Sequence, residues 1–209
     1  MPRMDGLFHF AAGTDRPQMA FGYRKMLRAR KWYSIAEMPK PCERGFHASE
    51  RVIDALQYAQ GNWFSVVSLD GVIVPHNGDK LCAQKRLHHK FINAEMVLHE
   101  FACWCAEQAL KAERKVGREP HPDSWKAIKV KRQWVKGKAT NEQMAAAGDA
   151  AWAAGDAAWA AGDAAAWAAA GAAARAAVWA AGDAAAGAAA RDAQNDKLTA
   201  LLMEVYENA

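Results

Sequence analysis

Cationic side chains set beside aromatic ones offer most of the chemistry in this 209-residue chain. Arg24, Lys25, Arg28, Arg30 and Lys31 run up to Trp32 and Tyr33. Guanidinium groups grip phosphate through paired N–H donors, and neighbouring rings attract cations and stack on bases. Arg24 and Arg28 are therefore candidate ligand-binding residues for a phosphate or nucleotide. A second basic run holds Lys126, Lys129, Lys131, Arg132, Lys136 and Lys138, interleaved with Trp125 and Trp134. Single-stranded nucleic acid takes that pairing, with bases on rings and phosphates on cations. The nucleic-acid candidates are Trp125, Lys129, Lys131, Arg132 and Trp134, although the two Trp would equally serve as anchors of a charged hairpin or helix. The four cysteines, Cys42, Cys82, Cys103 and Cys105, fit no zinc spacing, so no metal site is expected and the thiols should be reduced and partly buried. There is no Gly-rich phosphate loop, nucleophile elbow or His-Glu-x-x-His pattern.

The element that organises the first half lies between Cys42 and Pro75. Gly45 marks a turn, and Phe46-His47-Ala48 reads as a short buried strand. Ser49 is placed to cap a helix whose apolar face is Val52, Ile53, Leu56 and Ala59. Gly61-Asn62 ends that helix. Trp63–Leu69 is β-branched and aromatic, hence a strand. Asp70-Gly71 predicts a turn, followed by a further strand at Val72–Val74.

These residues resemble a family of uncharacterised phage and bacterial proteins with a Gly-Phe-His-Ala signature, here Gly45–Ala48. The family's helix closes on a Tyr, here Tyr58, and its next strand leads to a Gly turn, here Gly71. The likeness covers about the first half of the chain and implies no activity. His47 and Ser49 in this stretch are candidate ligand-binding residues. The same stretch also resembles, more distantly, ADP-ribosyltransferases of the poly(ADP-ribose) polymerase kind. Those use a His to hold the NAD ribose, a Tyr beside the nicotinamide and a Glu that stabilises the ribosyl cation. The resemblance implies His9, Tyr58 and Glu95 as the catalytic set and NAD as cofactor. Phe10 stands where that family keeps a Gly, and Glu95 falls at a helix start rather than on a strand.

The net charge of +4 is too small by itself to imply nucleic acid. No run of about eighteen bulky apolar residues suggests a membrane span. Met1–Gly6 leads into no apolar signal region, so a cytoplasmic location is the expectation. Residues 7–10 read as a first strand. Lys80–Lys85 alternates as a half-buried strand, with Arg86–Phe91 extending it. Asn93 caps a helix over 94–116 that presents Met96, Val97, Phe101, Trp104, Cys105 and Ala109, with Gly117 as its stop. Residues 118–122 are a linker.

Beyond residue 143 the chain is built of Ala, Gly, Asp and Trp. Ala-Ala-Gly-Asp-Ala-Ala-Trp ends at Trp152, recurs at Trp159, and recurs with one more Ala at Trp167. A period near seven residues fits two helical turns, and Ala is the best helix former. The reading is of continuous helices with at most one break, near Gly171 or Gly182. On a helical wheel Gly148, Gly155 and Gly162 line up beside Trp152, Trp159 and Trp167, a face suited to close packing. Leu198, Leu201, Leu202 and Val205 form a final amphipathic face.

The sequence therefore predicts an α+β fold. Its parts are a mixed domain over 1–117, a basic Trp-containing linker or hairpin over 118–143, and repeat helices over 144–209. The expected function is that of a phage-type accessory protein that binds a host protein or nucleotide and self-associates through its tail. An NAD-using transferase and a nucleic-acid binder are the alternatives.

Overall fold

The Asn77-Gly78 pair fixes the centre of the fold. Both residues take positive φ, +55° and +74°, in a tight three-residue loop, Asn77–Asp79, closed by the His76–Lys80 pair. The turn joins β4 (Trp63–His76) to β5 (Lys80–His88). The computed structural model that shows this describes residues 3–20, 25–160 and 184–209. Its elements also include β1 (Met4–Ala11), β2 (Trp32–Ser34), β3 (Phe46–Ala48), α1 (Val52–Gln57), β6 (Ile92–Asn93), α2 (Glu95–Lys115), α3 (Pro122–Val135) and α4 (Asn141–Ala160). A last helix, α5, spans Ala184–Asn208.

The strands make one six-stranded antiparallel sheet in the order β1-β4-β5-β2, with β3 also on β5 and β6 also on β4. The chain is thus α+β. Its contacts divide it into one unit of Met1–Glu95 with Asn195–Ala209, and a second of Met96–Gln194.

The expected turn at Asp70-Gly71 is a bulge instead. β4 runs unbroken through it, slipping register against β5 between Asp70 and Ile73. Gly71 has φ +80°, and the amide of Val72 is held by the Gln84 side chain at 3.0 Å. An extra residue on one strand of a pair is absorbed by such a local kink.

Ser49 does not cap α1. Its backbone pairs with Phe8 in both directions, at 2.8 and 3.0 Å, and the residue is buried. The cap position falls to Arg51, whose side chain makes no capping bond. The amide of Ile53 donates instead to Asn195 Oδ1 at 3.3 Å, from a residue 142 positions along the chain. The helix also stops sooner than expected, at Gln57.

Asn195 belongs to the part of α5 that returns to the sheet. Leu198 and Leu202 are wholly buried there, and Tyr206 meets Phe64 edge-on at 5.7 Å between centroids. Lys90 donates to the Tyr206 carbonyl and lies over its ring. The buried stripe is therefore Leu198, Leu202 and Tyr206, spaced by four. Val205, expected inside, is exposed, and Leu201 is half-buried.

In the second unit Cys103, Ala106 and Leu110 of α2 pack on Ile128 of α3, with Trp125 against them. Met96, assigned to the apolar face of α2, is exposed. The 125–138 run is helix rather than hairpin. His121 caps α3 through Asp123 N, and Pro122 opens it. Thr140 and Gln143 exchange side-chain bonds to each other's backbone N–H, a capping box that starts α4. α4 passes through Gly148-Asp149 without a break. A Cβ built on Gly148 would touch nothing within 4 Å, so this glycine provides no close approach. The expected positions Gly162, Trp167, Gly171, Trp179 and Gly182 lie outside the described residues, as do the side-chain surroundings of Gly155 and Trp159.

Candidate functional site

Cross-strand register gathers an unusual set of side chains on one face of the sheet. His9 pairs with Ser65, Val67 with His88, Leu69 with Arg86, and Arg86 in turn with Tyr33. Directly opposed residues share a face. The face thus carries His9 from β1, His88 and Arg86 from β5, and Tyr33 from β2. The His9 and His88 rings meet edge-on at 5.3 Å between centroids, and Phe91 stacks on His88 at 4.6 Å. The Arg86 guanidinium lies 5.5 Å from the Phe46 ring centroid. Met19, Leu27, Tyr33, Phe46, Trp63 and Phe91 pack together around the same region.

Arg86 is 6% exposed, and its Nη1 donates to the His47 carbonyl at 2.6 Å. Its Nε is buried without a partner. Among the described residues no carboxylate pairs with it, although five N–H donors on a buried cation call for acceptors. Four more buried nitrogens in this region are unbonded: His88 Nδ1, His88 Nε2, His9 Nδ1 and Trp63 Nε1.

Burial and the adjacent positive charge act together on this set. Desolvation, then Arg86, push the imidazoles of His9 and His88 well below their ordinary 6.5. His47 falls to about 4, through burial first and then Lys80, Arg86 and His76. Burial brings Arg86 itself down from 12.5 to about 9. At neutral pH the face therefore presents one guanidinium and neutral imidazoles. An anion entering here would meet a cation with a free donor, together with imidazole N–H groups that have no other use.

The residues expected from sequence scatter around this centre. His9 and His47 are part of it. Tyr58 is exposed and donates its hydroxyl to Asp79 Oδ2 at 2.7 Å, with Lys80 Nζ 3.9 Å from its ring centroid. Its phenol is pushed up to about 12 by burial and by the Asp79 carboxylate. Glu95 is exposed at the first turn of α2, its amide capped by Asn93 Oδ1 at 3.0 Å. The groups that act electrostatically on the His9 ring are Arg86, His88 and His47. Ser49 is buried, with its backbone paired to Phe8. Arg28 is exposed, its backbone amide donating to the Tyr33 hydroxyl oxygen at 2.7 Å. Arg24 lies outside the described residues.

The basic run of α3 is partly neutralised within its own unit. Arg132 pairs with Glu100 at 2.9 Å and Glu107 at 2.7 Å. Lys131 covers the Trp134 ring at 3.9 Å, and Trp134 Nε1 donates to Asn141 Oδ1 at 2.7 Å. Trp125 lies beneath Arg114 at 4.9 Å, with its Nε1 buried. The two indoles act as anchors. Two clefts of about 330 and 360 Å³ flank the helix, and the cations left at them are Lys126, Lys129, Lys136 and Lys138.

Sequence reasoning missed Arg86 and His88. It also missed a Ser/His/Asp contact, in which Ser68 Oγ bonds Asp5 and lies 2.7 Å from His89 Nε2. Here the serine sits between the other two. A nucleophilic triad needs the histidine in the middle, so this network is a brace, running from buried Ser68 out to exposed Asp5. Among the described residues no group of His, Cys, Asp or Glu is set to hold a metal ion, and no helix is long and apolar enough to cross a membrane.

Residues 16–100 match the model of a family described as Domain of unknown function (DUF7666). The likeness is to an uncharacterised family. The matched span contains His47, Arg86 and His88 but starts after His9. No curated protein and no solved structure matches the chain.

Proposed function

We propose that the sheet unit is a binding module for a phosphate-bearing ligand of the nucleotide class. The ligand's anionic group would be taken by Arg86, with His9 and His88 as neutral donors. The observation that carries this reading is a buried guanidinium with a free Nε and no carboxylate partner among the described residues. A buried charge is costly unless an opposite charge or a full set of hydrogen bonds compensates it. A phosphoryl oxygen would supply both. The half-buried rings of Phe46, Trp63 and Phe91 offer flat apolar faces nearby for a base. Binding is the reading preferred over transfer, since the groups acting on the His9 ring are Arg86, His88 and His47.

Calorimetric titration of the whole chain with ADP, NAD and inorganic phosphate tests this, beside Arg86→Met. Charge-assisted hydrogen bonds contribute about 1.5–3 kcal/mol each, so the substitution should weaken binding by at least about tenfold. Binding by ADP and phosphate alike would assign the anion subsite, and binding by ADP alone would add the base. Heats that vanish at millimolar ligand, or that survive Arg86→Met unchanged, would refute the proposal.

A further inference from the structure

A second cluster surrounds Cys42 and touches the Arg86 set through His47. Cys42 sits in the turn before β3 at φ +65°, and its thiol is exposed. The turn is tied by Lys40 N to the Arg44 carbonyl at 2.7 Å, and Cys42 N donates to His47 Nε2 at 3.3 Å. Two side chains from the β4–β5 hairpin then meet the sulfur. Lys80 Nζ is 3.5 Å from Cys42 Sγ, and His76 Nε2 is 3.7 Å from it. His76 and Lys80 oppose each other across the hairpin, immediately outside Asn77–Asp79. Lys80 is fixed further by the Tyr58 ring, and Tyr58 by Asp79.

A nucleophilic thiol needs a base for its proton and a cation for the thiolate. Both stand within contact of one exposed sulfur here. The other three cysteines are buried, and burial pushes their thiols up. We propose that Cys42 is a nucleophilic thiol that captures soft carbon electrophiles, with His76 as its base and Lys80 as the cation that holds the thiolate. In the step, the thiol proton passes to His76 Nε2 and the sulfur lone pair attacks carbon. With an alkyl halide the S–C bond forms as the carbon–halogen bond breaks, and halide leaves with the bonding pair. With a conjugated carbonyl, the S–C bond forms at the β-carbon and the imidazolium returns its proton to the α-carbon.

The experiment is alkylation of the native full chain by iodoacetamide at pH 7, followed by peptide mass mapping, with glutathione as the reference thiol. One adduct is expected, on Cys42, forming about tenfold faster than on glutathione. Lys80→Met and His76→Gln should each slow it severalfold toward the reference rate, and Cys42→Ser should abolish it. A rate equal to that of glutathione, untouched by both substitutions, would mean a merely exposed thiol and would overturn the proposal. A variant that unfolds would announce itself by labelling Cys82, Cys103 and Cys105. Lys80→Arg, which keeps the charge, then decides: a fast rate supports the proposal and a slow one refutes it.

Discussion

Replacing Arg86 by Met should raise the stability of the free protein while removing its affinity for phosphate. The magnitude follows from the burial of the guanidinium. A fall from 12.5 to about 9 penalises the charged form by about 5 kcal/mol. The charge-assisted bond to the His47 carbonyl returns about 1.5–3 kcal/mol, and the contact with Phe46 about 0.5–1 kcal/mol. The balance favours the apolar, similarly shaped Met by about 1–3 kcal/mol, as removal of buried charge often does. For a domain near a hundred residues each kcal/mol moves the melting temperature by about 4–8 °C. Differential scanning calorimetry without ligand should therefore place Arg86→Met several degrees above the parent. With ADP at about a hundred times its Kd, the parent alone should gain about 2.7 kcal/mol. If Arg86→Met instead melts well below the parent in both conditions, the guanidinium is a structural brace and the argument from its missing partner fails.

The imidazoles give a pH signature of the opposite sense to an acid-stabilised protein. His9 and His88 have folded values depressed below 6.5, so above 6.5 neither state is charged and nothing is lost. As pH falls below 6.5 the unfolded chain takes up protons that the folded one refuses. The protein should therefore lose stability between pH 7.5 and 5.5, and urea midpoints equal at the two values would contradict it. Leu198→Ala and Leu202→Ala should each destabilise the sheet unit by about 2–5 kcal/mol, read as early loss of its melting transition. Gly148→Ala should stabilise α4 by about 0.5–1 kcal/mol, because nothing lies near the new methyl; a lower melting temperature would mean the glycine is needed. Oligonucleotide binding through α3, if present, should show a shallow salt slope, since Arg132 is already paired; a steep slope lost in Lys126→Ala or Lys129→Ala would restore a nucleic-acid role.

Local rules made the helices of the second unit legible. Asn93 holds Glu95 N, α2 runs from Glu95 to Lys115, and Gly117 follows at φ +82°. The sheet was harder, because its two turn signals look alike in sequence. Asn77-Gly78 is the hairpin, whereas Asp70-Gly71 is absorbed as a bulge because β5 pairs with β4 on both sides of it. Ser49 reads as a cap by type, but β1 competes for its backbone and a residue from α5 takes the capping role. No local pattern announces a partner 142 positions away. His9 and His47 were visible as polar residues on apolar strands. Arg86 and His88 were not, since alternation on β5 ordinarily sends polar residues to solvent. Strands β4, β2 and β3 occupy the edges of β5, and Phe46 and Phe91 cover the face that carries Arg86 and His88.

The sheet unit is discontinuous in sequence, and this shapes how the chain must be made. Phe64 and Lys90 are finished by Tyr206, a partner 116 residues beyond Lys90. Closing a flexible loop of that length costs about 4 kcal/mol of chain entropy. During synthesis the sheet emerges long before its seal, so its α5-facing surface stays bare while some hundred residues are added. The intervening helices, rich in local contacts, can form in that interval. A ribosome that stalls before Leu198 would release a chain with an open apolar face, the kind of surface that chaperones hold and proteases clear. The turns of α5 around Leu198, Leu202 and Tyr206 thus close the sheet only after the residues between have been made.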